Sequence, residues 1–169
     1  MNKRLNIIIF FLSFTLFSKA QMAFVDTKYI LNRMPEYQDS LAKLNQLSAI
    51  WQREIDDKQV VLDKMRADFE RDAALLTEDL TKIRTDAIYY HEKELRDLQK
   101  MRFGFQGDLF KKGQEMLKPF QDRVAEATKI VAIRLGYVIV LDKSEGITVM
   151  FNKSALDISG DVEKELGIR

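Results

Sequence analysis

The chain has 169 residues, of which 46% are hydrophobic and 31% charged, with a formal net charge of +1. This is the size and composition of one folded domain rather than of a disordered chain, and the charge gives no reason to expect nucleic-acid binding. With no cysteine and one histidine, the sequence excludes disulfides and thiolate metal sites and leaves little for a histidine cluster, so we predict no metal and no cofactor.

The first twenty residues have the three parts of a secretory signal peptide. Lys3 and Arg4 form a positive start, residues 5–17 are almost entirely apolar, and Ser18 and Ala20 place small residues at −3 and −1 of a cleavage point. The apolar stretch would span about 20 Å as a helix, short of the roughly 30 Å membrane core, which disfavours an anchor. We expect cleavage near Ala20, export of a mature chain of residues 21–169, and no stable membrane insertion.

The mature chain is predicted to begin with a short strand, Met22 to Val25, and to continue into a long helical region. From Glu36 to Phe103 the sequence contains neither proline nor glycine, a span far longer than the average globular helix. Alternate steps of four and three reach mainly apolar residues, which is the heptad pattern of a helix that packs against another helix. The seam positions are Tyr37, Leu41, Leu44, Ser48, Trp51, Ile55, Lys58, Leu62, Met65, Phe69, Asp72 and Leu76.

The heptad pattern changes register after Leu76, which predicts a tight helix–helix turn near Ala73 to Glu78. Thr77 can cap a new helix, whose positive end suits acidic residues. One continuous helix of about 100 Å is the alternative, but we favour an antiparallel coiled-coil hairpin whose two arms bury each other's seam. The predicted stripes of the second arm are Leu80, Ile83, Ala87 and Tyr90, then Ile88, His91, Leu95, Leu98, Arg102, Phe105, Leu109, Lys112 and Met116.

Glycines and a proline interrupt the second arm. Gly104, Gly107 and Gly113 should weaken or kink the helix, since each glycine costs about 1 kcal/mol relative to alanine. Pro119 should add another kink, after which the helix is predicted to resume and to end at Gly136.

Strands are predicted again near the end of the chain. Tyr137 to Leu141 and Ile147 to Phe151 read as strands joined by a hairpin loop, and a short capped helix follows from Ser159 to Gly167. We predict an α+β fold with about three short strands in a small body, residues 21–35 and 119–169, and a hairpin arm, residues 36–118. Such a body exposes strand edges and buries little, so we expect oligomerisation into a shared closed barrel, with the number of chains left open.

No constellation of residues predicts catalysis. The sequence lacks a phosphate-binding glycine loop, a dinucleotide fingerprint and a nucleophile elbow. His91 lies in a helix among charged residues and is expected to be solvated or packed between helices. The pairs Glu92–Arg96 and Glu54–Lys58 have the spacing of ordinary surface ion pairs. We therefore predict that the protein is not an enzyme.

The apolar residues of the seam have two readings that the sequence does not separate. Trp51, Met65 and Phe69 are expected to pack in the hairpin core, but some of these side chains could instead face a bound polypeptide. The sequence therefore leaves unknown which residues would bind such a polypeptide client.

Several segments in order resemble the Skp/OmpH family of periplasmic chaperones, in the form found in Bacteroidetes. The first strand carries Val25-Asp26 at its end, and the motif Gly-Tyr-Val-Ile-Val-Leu-Asp-Lys-Ser covers residues 136–144. The other matching segments are residues 24–31, 34–37, 103–110, 118–124 and 156–162, so the resemblance covers essentially the whole mature chain.

The resemblance implies a homotrimer in which the strands of three chains form a central barrel and three helical arms surround a cavity. It implies an ATP-independent holdase that binds unfolded outer-membrane proteins there, prevents their aggregation and delivers them to the assembly machinery. The alternative function is a structural coiled-coil spacer or adaptor of an envelope complex. Residues 36–118 carry net charge −2, unlike the basic arms of the best-known members, so we expect mainly apolar client contacts with modest salt dependence.

Overall fold

We describe a computed structural model of the chain, which covers residues 22–144, 146 and 154–168. The predicted signal peptide and the predicted strand of residues 147–151 lie outside these residues. The chain divides into two compact units, Met34–Gln121, here the hairpin unit, and the residues before and after it, here the strand unit. The elements are β1 (Met22–Val25), α1 (Thr27–Asn32), α2 (Pro35–Asp72), α3 (Glu78–Phe103), α4 (Asp108–Leu135), β2 (Ile139–Asp142) and α5 (Ser159–Glu165), with 3-10 turns at Ala73–Leu75 and Ser154–Leu156.

A tight turn joins α2 to α3 where the sequence predicted it. α2 runs for 38 residues, ends in the 3-10 turn and is followed by Thr77, which caps α3 because its hydroxyl accepts a hydrogen bond from the Leu80 backbone N–H at 3.4 Å. Glu78 and Asp79 lie in the first turn of α3, where the helix dipole favours negative charge. The single continuous helix, the alternative considered from the sequence, is therefore wrong.

The two sides of the hairpin run antiparallel in one continuous register. Residues of α2 that lie closer to the turn contact residues of α4 and α3 that come earlier in the sequence. The pairs are Tyr37 with Phe120, Leu44 with Gly113, Glu54 with Arg102, Arg66 with Glu92 and Asp72 with Arg84.

The predicted seam of α2 is the face that packs in the hairpin. Eleven of its twelve positions are buried or half-buried, and Lys58 is the exposed exception. The fully packed cluster consists of Ile55, Leu62 and Leu95, with Ile88 and Leu98 against it. A hairpin with so few buried side chains depends strongly on each of them.

The predicted kinks have different outcomes. At Gly104 the helix does not merely bend but ends, because α3 stops at Phe103 and α4 starts at Asp108. At Pro119 the helix is not broken, since α4 continues through it as a 28-residue helix. Gly136 ends α4 with a left-handed φ of 75°, and the Tyr137 N–H donates to the Ala132 carbonyl at 2.9 Å.

The strand unit contains a parallel pair, β1 and β2, in which Met22 lies opposite Ile139 and Val25 opposite Asp142. Parallel strands need a long crossover connection, and here the connection includes the entire hairpin unit. The buried side chains of this unit are Ala23, Val25, Ile30, Leu31, Val124, Ala127, Val131, Ala132, Ile158 and Val162.

Three sequence predictions need correction here. β2 starts two residues later than predicted because Tyr137 belongs to the cap of α4. The short helix α1 was not predicted; its N-cap is Asp26, whose carboxylate accepts from the Tyr29 N–H at 2.9 Å. Ser159 is not a cap but the first residue of α5, which has Ile158 at its N-cap without a side-chain hydrogen bond.

A polar network ties the ends of the strands to the short helices. The Thr27 hydroxyl and the Ser144 N–H donate to the two carboxylate oxygens of Asp142, at 2.5 and 2.9 Å. A second carboxylate, Asp157, accepts from the Ser159 hydroxyl and from the Lys143 ammonium, each at 2.6 Å. The bond between Thr27 and Asp142 joins residues that are 115 apart in the chain.

Acid should weaken the strand unit through these two carboxylates. Burial works to raise the pKa of Asp142 and of Asp157, but the hydrogen bonds from their hydroxyl, backbone and lysine donors outweigh it and hold both pKa values below normal. A depressed pKa in the folded state adds stability above the unfolded value of about 3.9, and that stability is lost as pH falls through the folded pKa.

We expect the urea midpoint to be flat from about pH 7 to 5 and to fall below about pH 4. The double variant Asp142→Asn/Asp157→Asn should be less stable at neutral pH. Its urea midpoint should also fall less steeply below about pH 4, so the acid limb of its pH profile is shallower. Asp97→Asn, at an exposed position of α3, is the control and should keep the steep limb. An unchanged limb in the double variant would contradict the assignment.

Candidate functional site

The residues considered for catalysis lie on the surface of the hairpin unit. His91 is half-exposed, with its Nδ1 3.6 Å from the Glu94 carboxylate. Glu92 and Arg96 form the predicted pair at 3.7 Å, whereas Glu54 pairs across the hairpin with Arg102 at 3.3 Å instead of with Lys58. Within the described residues, no group of three or more His, Cys, Asp or Glu side chains could hold a metal ion.

The packed face of α3 follows most of the second predicted stripe but not the first. Ile88, Leu95, Leu98 and Arg102 of the second stripe are buried or half-buried, whereas His91 is exposed. Of the first stripe only Ala87 is half-buried, and Leu80, Ile83 and Tyr90 are exposed. Near the turn the interface also contains ion pairs, since Arg84 donates to Asp72 at 2.9 Å and Arg66 donates to Glu92 at 2.6 Å.

The outward-facing apolar residues form two rows, one on each helix. Ile83, Tyr90 and Met101 are seven and eleven residues apart, close to two and three helical turns, so they share a face of α3. Ile50 and Val61 are eleven residues apart on α2 and likewise share a face. We call these five side chains, each between 49% and 64% exposed, the apolar flank.

Both rows of the apolar flank lie on the same side of the hairpin. Counted at 100° per residue, each row is displaced from its helix's packed face by about 115° in the same rotational sense. In two antiparallel helices, equal displacements of this kind point to the same side. The neighbouring residue Val60 is displaced in the opposite sense and points away from the apolar flank, although it is also exposed, whereas the ring of Tyr89 contacts that of Tyr90, with the centroids 5.9 Å apart.

The apolar flank is long and sparse. The ion pairs of the hairpin place Met101 level with residue 55 of α2, Tyr90 with residue 68 and Ile83 with residue 73. With Ile50 and Val61, an apolar side chain then recurs about every 9 Å over a length of about 35 Å. Charged and polar residues occupy the intervals between them.

A shallow groove lies beside the turn on this same side. It has a volume of about 370 Å³, an apolar floor of Met65, Ala87 and Ile88, and a charged rim formed by Asp68, Arg71, Asp72 and Arg84. The rim charges pair with one another, with the Arg71 guanidinium 2.8 Å from Asp68 and 3.1 Å from Asp72. Hydrogen bonds from Arg84 and then Arg71 hold the pKa of Asp72 below its usual value. Because the rim charges already pair with one another, the groove has no strong preference for an ion. Its apolar floor is suited to contact with an apolar side chain.

The three large apolar seam residues that the sequence left undecided between core packing and client contact pack in the hairpin. Trp51, Met65 and Phe69 are all half-buried rather than exposed. The Arg102 guanidinium lies over the Trp51 ring, 4.7 Å from its centroid, in a cation–π contact. The apolar flank, by contrast, was missed, because adjacent valines and adjacent tyrosines gave no sign of which residue of each pair would share a side.

Comparisons with known proteins identify relatives of the whole chain. The model of a protein family described as outer membrane protein (OmpH-like) matches residues 21–166. The fold is similar to a crystal structure from Caulobacter crescentus described as a candidate outer membrane chaperone (OmpH-like), with a TM-score of 0.64 at 13% identity, covering 88% of this chain and 85% of that one. A comparison with curated proteins found no match. Among the described residues, none of the helices combines the length and apolar character needed to cross a membrane.

Proposed function

Because the chain belongs to the OmpH-like family, we propose that it is an ATP-independent holdase that binds unfolded outer-membrane proteins in the periplasm and prevents their aggregation. The observation that carries the proposal is the apolar flank, two rows of exposed apolar side chains along one side of the hairpin. Apolar side chains aligned in this way can bury part of their surface against the apolar residues of an extended polypeptide. The proposal involves no catalytic step, metal or cofactor.

The dimensions of the apolar flank suit an extended polypeptide. A transmembrane β-strand of an outer-membrane barrel has about ten residues and rises about 3.3 Å per residue, so it is about 33 Å long when extended. This is close to the length of the apolar flank. Such a strand has an apolar residue about every 6.6 Å along one face, so contacts about 9 Å apart can reach several of these residues but not each of them in turn.

The spacing of the apolar flank also suits release of the client. Single apolar side chains separated by charged residues cannot form one large continuous interface, so each contact is weak. Burying one such side chain contributes about 1 to 2 kcal/mol at most, and five partial contacts add up to useful affinity only when the client is extended along the arm. A folded barrel strand, whose backbone and side chains are already paired, would lose these contacts.

We further propose that the chain is exported, loses residues 1–20 and acts as a homotrimer. The strand unit exposes several large apolar side chains, which is typical of a surface that associates with other copies. They are Met22, Ile130, Ile133, Leu135, Val138 and Ile139. Three hairpins around a shared centre would then place several apolar flanks within reach of one client.

The test of the holdase proposal is aggregation of a urea-unfolded outer-membrane β-barrel protein after dilution, with the mature chain, residues 21–169, and no nucleotide. Val61→Ser/Tyr90→Ser removes two members of the apolar flank. We expect it to raise the concentration needed for half-maximal protection about tenfold or more, because about 1 kcal/mol of apolar contact is lost at each site.

Val60→Ser is the matched control for the single variant Val61→Ser, since it makes the same change one residue away at a position that faces away from the apolar flank; Tyr89 is left unchanged because its ring contacts that of Tyr90. Val60→Ser should shift the half-maximal concentration by less than twofold. Equal losses in Val61→Ser and Val60→Ser, with both chains folded by circular dichroism, would refute the role of the apolar flank.

The alternative, a structural spacer or adaptor, differs in the breadth of its binding. A holdase should protect several unrelated unfolded barrel proteins at stoichiometric amounts. A spacer should protect none of them and should copurify with one partner. Failure of the wild-type chain to protect any barrel protein would favour the adaptor function.

A further inference from the structure

The four residues between α3 and α4 form a joint with a specific backbone. A Cβ added at Gly104 would lie 2.3 Å from the Lys100 carbonyl oxygen, and one added at Gly107 would lie 2.7 Å from that of Met101. Gln106 has a left-handed φ of 54°, which is uncommon for a residue with a side chain. The broken conformation therefore requires glycine at both of these positions and puts strain on the residue between them.

One ion pair spans the joint. Arg102 near the end of α3 donates to Asp108, the first residue of α4, at 2.8 Å, and its side chain is 23% exposed. In a continuous helix, residues six apart would be rotated by about 120° from each other, so this pair could not form. The Arg102–Asp108 contact is thus specific to the broken conformation.

The broken conformation also leaves a large aromatic side chain in solvent. Phe105 is 97% exposed. In the sequence, however, it lies seven residues after Leu98 and four before Leu109, both half-buried in the hairpin. In a continuous helix this spacing would place Phe105 on the packed face.

The register of the hairpin permits this alternative without sliding of the helices. Glu54 contacts Arg102 before the joint, and Leu44 lies beside Gly113 after it. Between these two contacts, the residue numbers differ by ten on α2 and by eleven from α3 to α4. The joint therefore occupies about the axial length that a continuous helix would occupy.

We propose that residues 104–107 are a two-state joint. In one state the helix is broken, Arg102 holds Asp108 and Phe105 is exposed. In the other state α3 and α4 are continuous and Phe105 packs in the seam. The Arg102–Asp108 ion pair biases the joint toward the broken state, and burial of Phe105 biases it toward the continuous one.

The test is hydrogen–deuterium exchange of the peptide containing residues 103–108, measured by mass spectrometry on the mature chain without client. Asp108→Ala removes the ion pair and should slow exchange of these amides at least tenfold, because they become helical. Adding Phe105→Ser to this variant should restore fast exchange. Glu115→Ala is the control; it removes a carboxylate of α4 that pairs with Lys112 at 2.6 Å, and it should leave the joint unchanged.

A second variant tests the joint without touching the ion pair. Gly104→Ala/Gly107→Ala excludes the broken backbone and favours helix by roughly fivefold per site, so it should also protect the peptide. Fast exchange in both Asp108→Ala and the double alanine variant would overturn the proposal, whether the segment stays broken or unfolds. Slow exchange that Phe105→Ser does not reverse would overturn the role of Phe105.

Discussion

Replacing Leu62 by alanine should destabilise the hairpin unit by about 3 kcal/mol, the middle of the usual range for a buried leucine. Leu62 is 2% exposed and belongs to the packed cluster with Ile55 and Leu95. The hairpin has few other fully buried side chains, so the cavity left by the missing methyl groups has little packing around it that could compensate. Urea unfolding followed by helical circular dichroism measures the loss.

Val60→Ala is the control for this experiment, because Val60 is 67% exposed on the same helix. Its free energy of unfolding should stay within about 0.5 kcal/mol of wild type. If Leu62→Ala cost less than about 1 kcal/mol, the cluster would not be the main source of hairpin stability, and the interhelical ion pairs would have to supply it.

The second large effect is expected on assembly. Ile133→Asp/Val138→Asp places two carboxylates on the exposed apolar surface of the strand unit, where the wild-type side chains are 70% and 84% exposed. If this surface is buried between chains, two unpaired charges there are prohibitive. The mass by light scattering coupled to size exclusion should fall from about three chains to one.

Leu75→Asp provides the comparison, since Leu75 is 87% exposed at the hairpin turn. It should keep the wild-type mass. Helical circular dichroism at low temperature checks that the double variant remains folded, because neither of its side chains belongs to the buried core. An unchanged mass would place the contact between chains elsewhere on the molecule.

The sequence predicted those parts of the fold that depend on apolar spacing and capping. The seam of α2, the turn and the Thr77 cap follow from local patterns that the tertiary structure reinforces. α1 was missed because six residues are too short to show a period, and Asp26 was its one signal.

The rotation of α3 was predictable only in part. The second stripe marked Ile88, Leu95 and Leu98, but near the turn the interface also contains Arg84 and Glu92, whose partners Asp72 and Arg66 lie on α2. Hydrophobic periodicity carries no information about such pairs. The apolar flank depends on this rotation, so it becomes visible only once both helices are placed.

The register shared by the two sides of the hairpin limits how the length of this protein can change. Removing seven residues from one helix would leave seven on the other without partners and would shift every pair beyond the cut. Matched removal of one heptad from α2 and one from α3 would shorten the hairpin by about 10 Å and restore every remaining pair. Lineages with shorter or longer arms should therefore differ by compensating insertions and deletions at equal distances from the turn, in steps of one heptad.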